Sequence, residues 1–223
     1  MVKKQTTELV LESIEVILKQ AIDDGILKDI PIIGTVFKAM DIGGSIRDKI
    51  YGAKVAKFIL NLSQVTETDK ERFKLVISER KEDIDRLTQK ILLSIESQTD
   101  IEKSEIIADL FLSYLDEELS DTDFRRAIDV TNSVFLDDLL RFLDCGGFQL
   151  NTYEELEWNK ISNLVSSPLI SIDPTSQSEL KKTGCDDLIG VTLYQSTDFA
   201  NVYRNAVIHG VRLRKHRQQF LKS

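Results

Sequence analysis

Side chains suited to chemistry lie together in one short segment near the end of the 223-residue chain. Residues 203–210 read YRNAVIHG, in which Asn205 directly follows Arg204 and four residues separate that arginine from His209. An imidazole can accept or donate a proton near neutral pH, so a histidine at a fixed distance from an arginine is a candidate catalytic group. The segment is therefore either a catalytic site or a helix with ordinary packing.

This spacing resembles the motif of the HEPN ribonucleases, in which a short spacer separates an arginine from a histidine and a polar residue follows the arginine. Members of that family are helical bundles that cleave RNA without a metal ion at a dimer interface. The resemblance implies that Arg204 binds the scissile phosphate, that Asn205 orients the site and that His209 is the general base or acid of a homodimer. It covers only these few residues.

Helix geometry supports the packing interpretation. At about 100° per residue, positions five apart lie about 140° apart around a helix, so Arg204 and His209 do not share a face. A catalytic pair would need a helix end near Gly210 or a second subunit. An ordinary apolar stripe also runs through the segment, made by Phe199, Val202, Tyr203, Ala206, Val207, Gly210 and Leu213.

Charge is distributed unevenly along the chain. The net charge is −8, and residues 204–223 contain six cations and no acid, so the remainder carries −14. A basic end predicts contact with a nucleic acid, an anionic membrane surface or a protein partner. The predicted binding residues are Arg212, Arg214, Lys215, Arg217 and Lys222. The alternative is that these cations complement the dipole of a C-terminal helix and stay in water.

The segment 26–60 is the most apolar part of the sequence. Its longest uncharged run, 30–37, is far shorter than the roughly twenty residues that a membrane-spanning helix needs. Its cations outnumber its acids, which is compatible with a basic amphipathic helix on a membrane surface. Burial in the protein core is the alternative for apolar helices of this length.

Composition predicts a mostly α-helical protein. Hydrophobic residues make up 42% of the chain, with only three prolines and ten glycines, which disfavours a many-turned β-sandwich or barrel. We predict a multi-helix bundle over residues 1–147. Thr68 with Glu71 and Ser120 with Asp123 fit the capping-box pattern, and the second pair is expected to open one long helix through 124–142.

The pattern changes after Gly147. PLISI, at 168–172, and IGVTLYQ, at 189–195, are typical of short strands on either side of a polar loop. Ser196 or Thr197 can cap the last helix. We therefore expect residues 148–223 to form a small winged-helix-like α+β module with a basic C-terminal helix.

The sequence contains no motif for a metal site, a nucleotide site or a common hydrolase site. Cys145 and Cys185 have neither a Cys-x-x-Cys partner nor a histidine at ligand spacing, so no metal site is predicted. The phosphate-loop, Gly-x-Ser-x-Gly and His-Glu-x-x-His motifs do not occur, and no cofactor is predicted. The N-terminus lacks the pattern of a secretion signal, so we expect a cytoplasmic protein, with the surface of the inner membrane as an alternative location.

A broader resemblance comes from the order of the helices. The order of the apolar segment at 29–59, the helices at 105–143 and the strand and helix at 191–203 resembles that of uncharacterised bacterial proteins related to the abortive-infection alpha group. That resemblance implies a protein of phage defence with no established chemistry. Two hypotheses follow: a non-enzymatic interaction or effector protein that contacts an anionic partner, and a HEPN-type ribonuclease.

Overall fold

The computed structural model describes residues 46–144, 162–172, 181–182, 184 and 194–220. Within these ranges the chain is mostly helical, as the composition predicts, with one small sheet. The helices are α1 (Ile46–Ser63), α2 (Glu67–Glu79), α3 (Lys81–Ser97), α4 (Lys103–Leu115), α5 (Asp121–Ser133), α6 (Leu136–Asp144) and α7 (Asp198–Phe220), and a 3₁₀ helix covers Ser162–Ser166. The strands are β1 (Ile170–Ile172) and β2 (Tyr194–Ser196).

The described residues form two compact units. The first contains 46–132 and 205–220, and the second contains 133–144, 162–172, 181–182, 184 and 194–204. The boundary predicted after Gly147 lies outside the described residues. One difference from the predicted division is that the second half of α7 belongs to the first unit, where it packs on α4 through contacts described below.

Helix α4 is the centre of the first unit. Its side chains are buried almost all around the helix. Its own aromatic rings, Phe111 and Tyr114, pack with Phe58 of α1 and Phe124 of α5 at centroid separations of 5.1–6.3 Å. Burying each such side chain contributes about 1.5–3 kcal/mol, so α4 holds the unit together.

The described part of the apolar segment belongs to this core. Val55, Phe58 and Ile59 of α1 are fully buried, whereas residues 26–45 lie outside the described ranges. No helix in the described ranges is both long and apolar enough to cross a membrane.

Helix starts follow the predicted chemistry with one correction. The hydroxyl oxygens of Ser120 and Thr197 accept from the backbone N–H groups three residues on, at 3.1 Å each, as N-caps do. The predicted box of Thr68 and Glu71 is wrong by two residues. Thr66 is the N-cap, accepting from the Asp69 N–H at 3.2 Å, because α2 begins at Glu67.

The helix predicted over 124–142 is interrupted. Helix α5 ends at Ser133, and α6 begins at Leu136 after a short break. The ammonium of Lys103, on α4, donates to the Asn132 carbonyl at 3.2 Å, which satisfies an acceptor that the end of α5 leaves free. Phe135, which falls inside the helix predicted over 124–142, lies in the break with 61% of its surface exposed.

A second buried lysine stabilises the end of another helix. Lys54 of α1 is 4% exposed, and its ammonium donates to the carbonyls of Ile95, Glu96 and Gln98 at the end of α3. These carbonyls have no partner within their own helix, and a cation there also complements the helix dipole. Burial lowers the pKa of Lys54.

The second unit is small and carries the sheet. Strands β1 and β2 pair antiparallel, with Ile170 opposite Ser196 and Ile172 opposite Tyr194. The strand predicted at 189–195 is described only from Tyr194 onward. Tyr203, at the start of α7, packs between Phe142 and Phe199 with ring centroids at 6.4 and 6.5 Å, which forms the aromatic centre of the unit.

Candidate functional site

The predicted site lies on α7, which begins directly after β2. Thr197 fixes the first turn twice, because its oxygen caps the Ala200 N–H and its hydroxyl donates to the Pro168 carbonyl at 2.7 Å. The sequence YRNAVIHG is helical throughout. The helix end near Gly210 that a catalytic pair on one chain would need is therefore not present, because α7 continues to Phe220.

Arg204 is buried and bound within the second unit. Only 6% of its surface is exposed, and its Nε and Nη2 donate to the Phe142 carbonyl at 3.3 and 2.9 Å. Its guanidinium carbon also lies 4.3 Å from the centroid of the Phe142 ring. Because Phe142 is in the last turn of α6, Arg204 satisfies an acceptor at a helix end and adds a cation–π contact.

His209 is bound within the first unit. The Nε2 of His209 lies 2.6 Å from Oδ2 of Asp116, the residue directly after α4, and the histidine side chain is 28% exposed. The other carboxylate oxygen of Asp116 accepts from Arg72 of α2 at 2.6 Å, and Arg72 also pairs with Asp69 at 2.7 Å. The imidazole thus lies at the end of a chain of polar side-chain contacts that joins α2, α4 and α7.

The backbones of α7 and α4 approach closely between these two polar contacts. The Ser113 hydroxyl donates to the Ala206 carbonyl at 2.5 Å, in a fully buried position. A Cβ built on Gly210 would lie 2.2 Å from the Asp109 carbonyl oxygen, so only glycine fits there. Ala206 and Gly210, four residues apart on one face, therefore provide the smooth surface on which α4 packs.

Arg214 closes this interface. Its Nε and Nη2 donate to both carboxylate oxygens of Asp109 at 2.5 and 2.8 Å, and its Nη1 donates to Oδ1 of Asn61 at 2.8 Å. A bidentate pair of this kind is strong and directional. Arg214, predicted to bind an external partner, is thus used inside the protein.

The other predicted residues have different surroundings. Asn205 and Arg212 are exposed on α7. The side chains of Lys215 and Arg217 lie outside the described residues, as does all of Lys222. Among the described side chains, no cluster of histidine, cysteine and acidic residues could hold a metal ion.

The structure brings together two aspartates and a serine that the site prediction did not include. Asp109, Ser113 and Asp116 follow one another at four and three residues along α4, so they share the face that meets α7. A signal was available, because Asp109 interrupts the apolar sequence EIIADLFLSYL. A carboxylate in such a run is costly to bury unless a cation pairs with it.

Chemically, the arrangement is a polar helix–helix interface. The guanidinium of Arg204 is hydrogen-bonded to the Phe142 carbonyl, and the imidazole of His209 is hydrogen-bonded to the carboxylate of Asp116. The chain matches no protein-family model, no curated protein and no solved structure. The chemistry of these side chains therefore has to be argued from their own contacts.

Proposed function

We propose that this chain is a non-enzymatic interaction protein that contacts a phosphate-bearing partner, a nucleic acid or an anionic membrane surface, through the basic end of α7. The supporting observation is the contrast between Arg204 and Arg212. The first is 6% exposed and binds the Phe142 carbonyl, whereas the second is exposed to solvent. Cations at the end of a helix, on a chain that is otherwise acidic, favour a negatively charged partner.

Arg214 is removed from the residues proposed to bind the partner, because its side chain is used within the protein. Its contacts with Asp109 and Asn61 leave Arg212, Lys215, Arg217 and Lys222 as the cations proposed to meet the partner. A truncation that removed Arg214 would disturb folding as well as charge. The test therefore uses substitutions that keep Arg214.

The experiment compares two variants with the same change in charge. In the first, Arg212, Lys215, Arg217 and Lys222 are all replaced by glutamine. In the control, glutamine replaces four exposed arginines of the helical body: Arg86, Arg125, Arg126 and Arg141. Binding to single-stranded RNA, duplex DNA and vesicles containing phosphatidylserine is measured across a salt titration.

We expect the first variant alone to lose binding and to reduce the salt dependence, since each phosphate contact contributes roughly one unit to the slope of log K against log salt. The ligand to which the first variant loses binding, whether RNA, DNA or vesicles, identifies the class of the partner. Equal binding by the two variants on every arm would contradict the proposal.

We further propose that residues 148–223 form a winged-helix-like module and that the protein acts in bacterial phage defence in the cytoplasm. The antiparallel pairing of β1 with β2, followed at once by α7, supports the first part. The second part rests on the resemblance of the sequence to proteins related to the abortive-infection alpha group. Phage plating on cells that express the wild type or the four-glutamine tail variant tests the defence role, and equal plaque counts with and without the protein would exclude it.

A HEPN-type ribonuclease is the second candidate. One observation favours it: the His209 imidazole is 28% exposed and is held by a carboxylate, as a general base often is. The buried Arg204 argues against it. RNA cleavage by the wild type is compared with that by His209→Ala and by Arg86→Ala, an exposed arginine outside the proposed binding set, as the control. A loss confined to the histidine variant would favour catalysis by a homodimer.

A further inference from the structure

A groove lies where α2 and α3 meet, on a part of the first unit away from the predicted site residues. Its volume is about 410 Å³, within the size range of sites that bind small ligands and peptide side chains. Ile77 and Ile84 line it and are 4% and 0% exposed, whereas Leu75 lines it with 64% of its surface exposed. Burying Leu75 against a partner would remove apolar surface from water.

One carboxylate in this groove has an unmet capacity to accept hydrogen bonds. Oδ1 of Asp85 is buried, and it has no hydrogen-bond partner within the described part of the chain. Buried polar atoms in folded proteins almost always have partners, so this oxygen has capacity for a donor that the described part of the chain does not supply. The N–H groups of a peptide backbone are suitable donors.

The cations that line the groove define the charge of its occupant. Lys81 is exposed and lies four residues before Asp85, yet the two form no ion pair in the described structure. Lys74 also lines the groove, and it pairs with Glu71 at 2.7 Å where both side chains reach solvent, so this pair adds little to stability. Two ammonium groups beside an apolar floor complement a carboxylate attached to an aliphatic residue.

We propose that this groove binds a short peptide segment of a partner protein in which a large aliphatic side chain is flanked by acidic residues. The aliphatic side chain packs on Leu75, Ile77 and Ile84. The acidic side chains meet Lys74 and Lys81, and a backbone N–H donates to Asp85. This contact is independent of the basic end of α7, so either proposal can fail without the other.

The test uses a fluorescein-labelled peptide in which leucine alternates with glutamate, and a second peptide in which lysine replaces glutamate. Fluorescence anisotropy measures the binding of each to the full chain. Leu75→Ala is compared with Leu93→Ala, because these leucines are 64% and 67% exposed and only the first lines the groove. Lys81→Glu tests the charge.

We expect Leu75→Ala to weaken binding of the acidic peptide by about tenfold, with Leu93→Ala equal to the wild type. Lys81→Glu should weaken the acidic peptide and favour the basic one. Three results would overturn the proposal: equal loss in the two leucine variants, equal binding of the two peptides to the wild type, or no binding at about 1 mM peptide. Tail variants that lose anionic partners should bind the acidic peptide normally.

Discussion

The backbone of Asp109 lies against Gly210 so closely that any side chain at position 210 would collide with it. The nearest atoms to a Cβ placed there are the carbonyl oxygen, Cα and carbonyl carbon of Asp109, at 2.2, 2.5 and 2.6 Å. These are backbone atoms of a buried helix, so they cannot move aside cheaply. The glycine at the end of YRNAVIHG therefore has a packing role.

Gly210→Ala is expected to destabilise the protein by more than about 2 kcal/mol, because the methyl group forces α7 away from α4. The sign of the change in unfolding free energy shows whether another helix packs closely against position 210. In a helix without such a neighbour, the same change would stabilise by roughly 1 kcal/mol. Urea denaturation measures the free energy of unfolding, with Asn205→Ala on the exposed face of α7 as the control. A stabilised Gly210→Ala variant would show that the two helices do not approach as described.

Arg214 and Arg212 form a matched pair for testing the interface charge. Arg214→Ala is expected to cost about 3–5 kcal/mol in unfolding free energy, because the 2%-exposed Asp109 loses its bidentate cation. Arg212→Ala should change stability by less than about 0.5 kcal/mol, since that side chain is exposed. Chemical denaturation of both variants provides the measurement. Similar unfolding free energies for the two variants would mean that the buried Asp109 does not need Arg214 as its cation.

The buried phenol of Tyr114 is expected to make the protein less stable at alkaline pH. Burial, and then the hydrogen bond of its hydroxyl to Asp121 at 2.7 Å, raise its pKa above the ordinary value of 10.0. Above that pH the unfolded chain releases the phenolic proton while the folded chain retains it. The stabilisation is thus complete below about pH 10 and falls by up to roughly 1.4 kcal/mol per pH unit above it.

The comparison of wild type with Tyr114→Phe isolates this effect, because other groups titrate alike in both proteins. Unfolding free energies are measured between about pH 9 and pH 11. The difference between the two proteins should shrink as the pH rises. A constant difference over that range would contradict the raised pKa of the buried phenol.

Local signals in the sequence predicted much of the fold. The caps at Ser120 and Thr197 and the helical pattern are confirmed, since both depend on residues within a few positions of one another. The break before Phe135 was not predicted, because an apolar residue continues the helical spacing there. A lysine some thirty residues away, Lys103, binds the end of α5, and spacing within the helix does not reveal that contact.

The partners of the candidate site were harder to predict for the same reason. Arg204 contacts a residue 62 positions away, and His209 contacts one 93 positions away. The sequence shows which side chains can form charged contacts, but the fold decides which contacts they form. The small residues Ala206 and Gly210 on one face were the local sign that α7 packs closely against another helix.

The two buried lysines also affect how the protein would respond to reagents that modify amines. Lys54 and Lys103 are each 4% exposed, and their ammonium groups are held by carbonyls at helix ends. An acylating reagent should therefore label them only after α1 or α4 has moved. Mass spectrometry of the labelled chain would then report whether the core is intact, residue by residue.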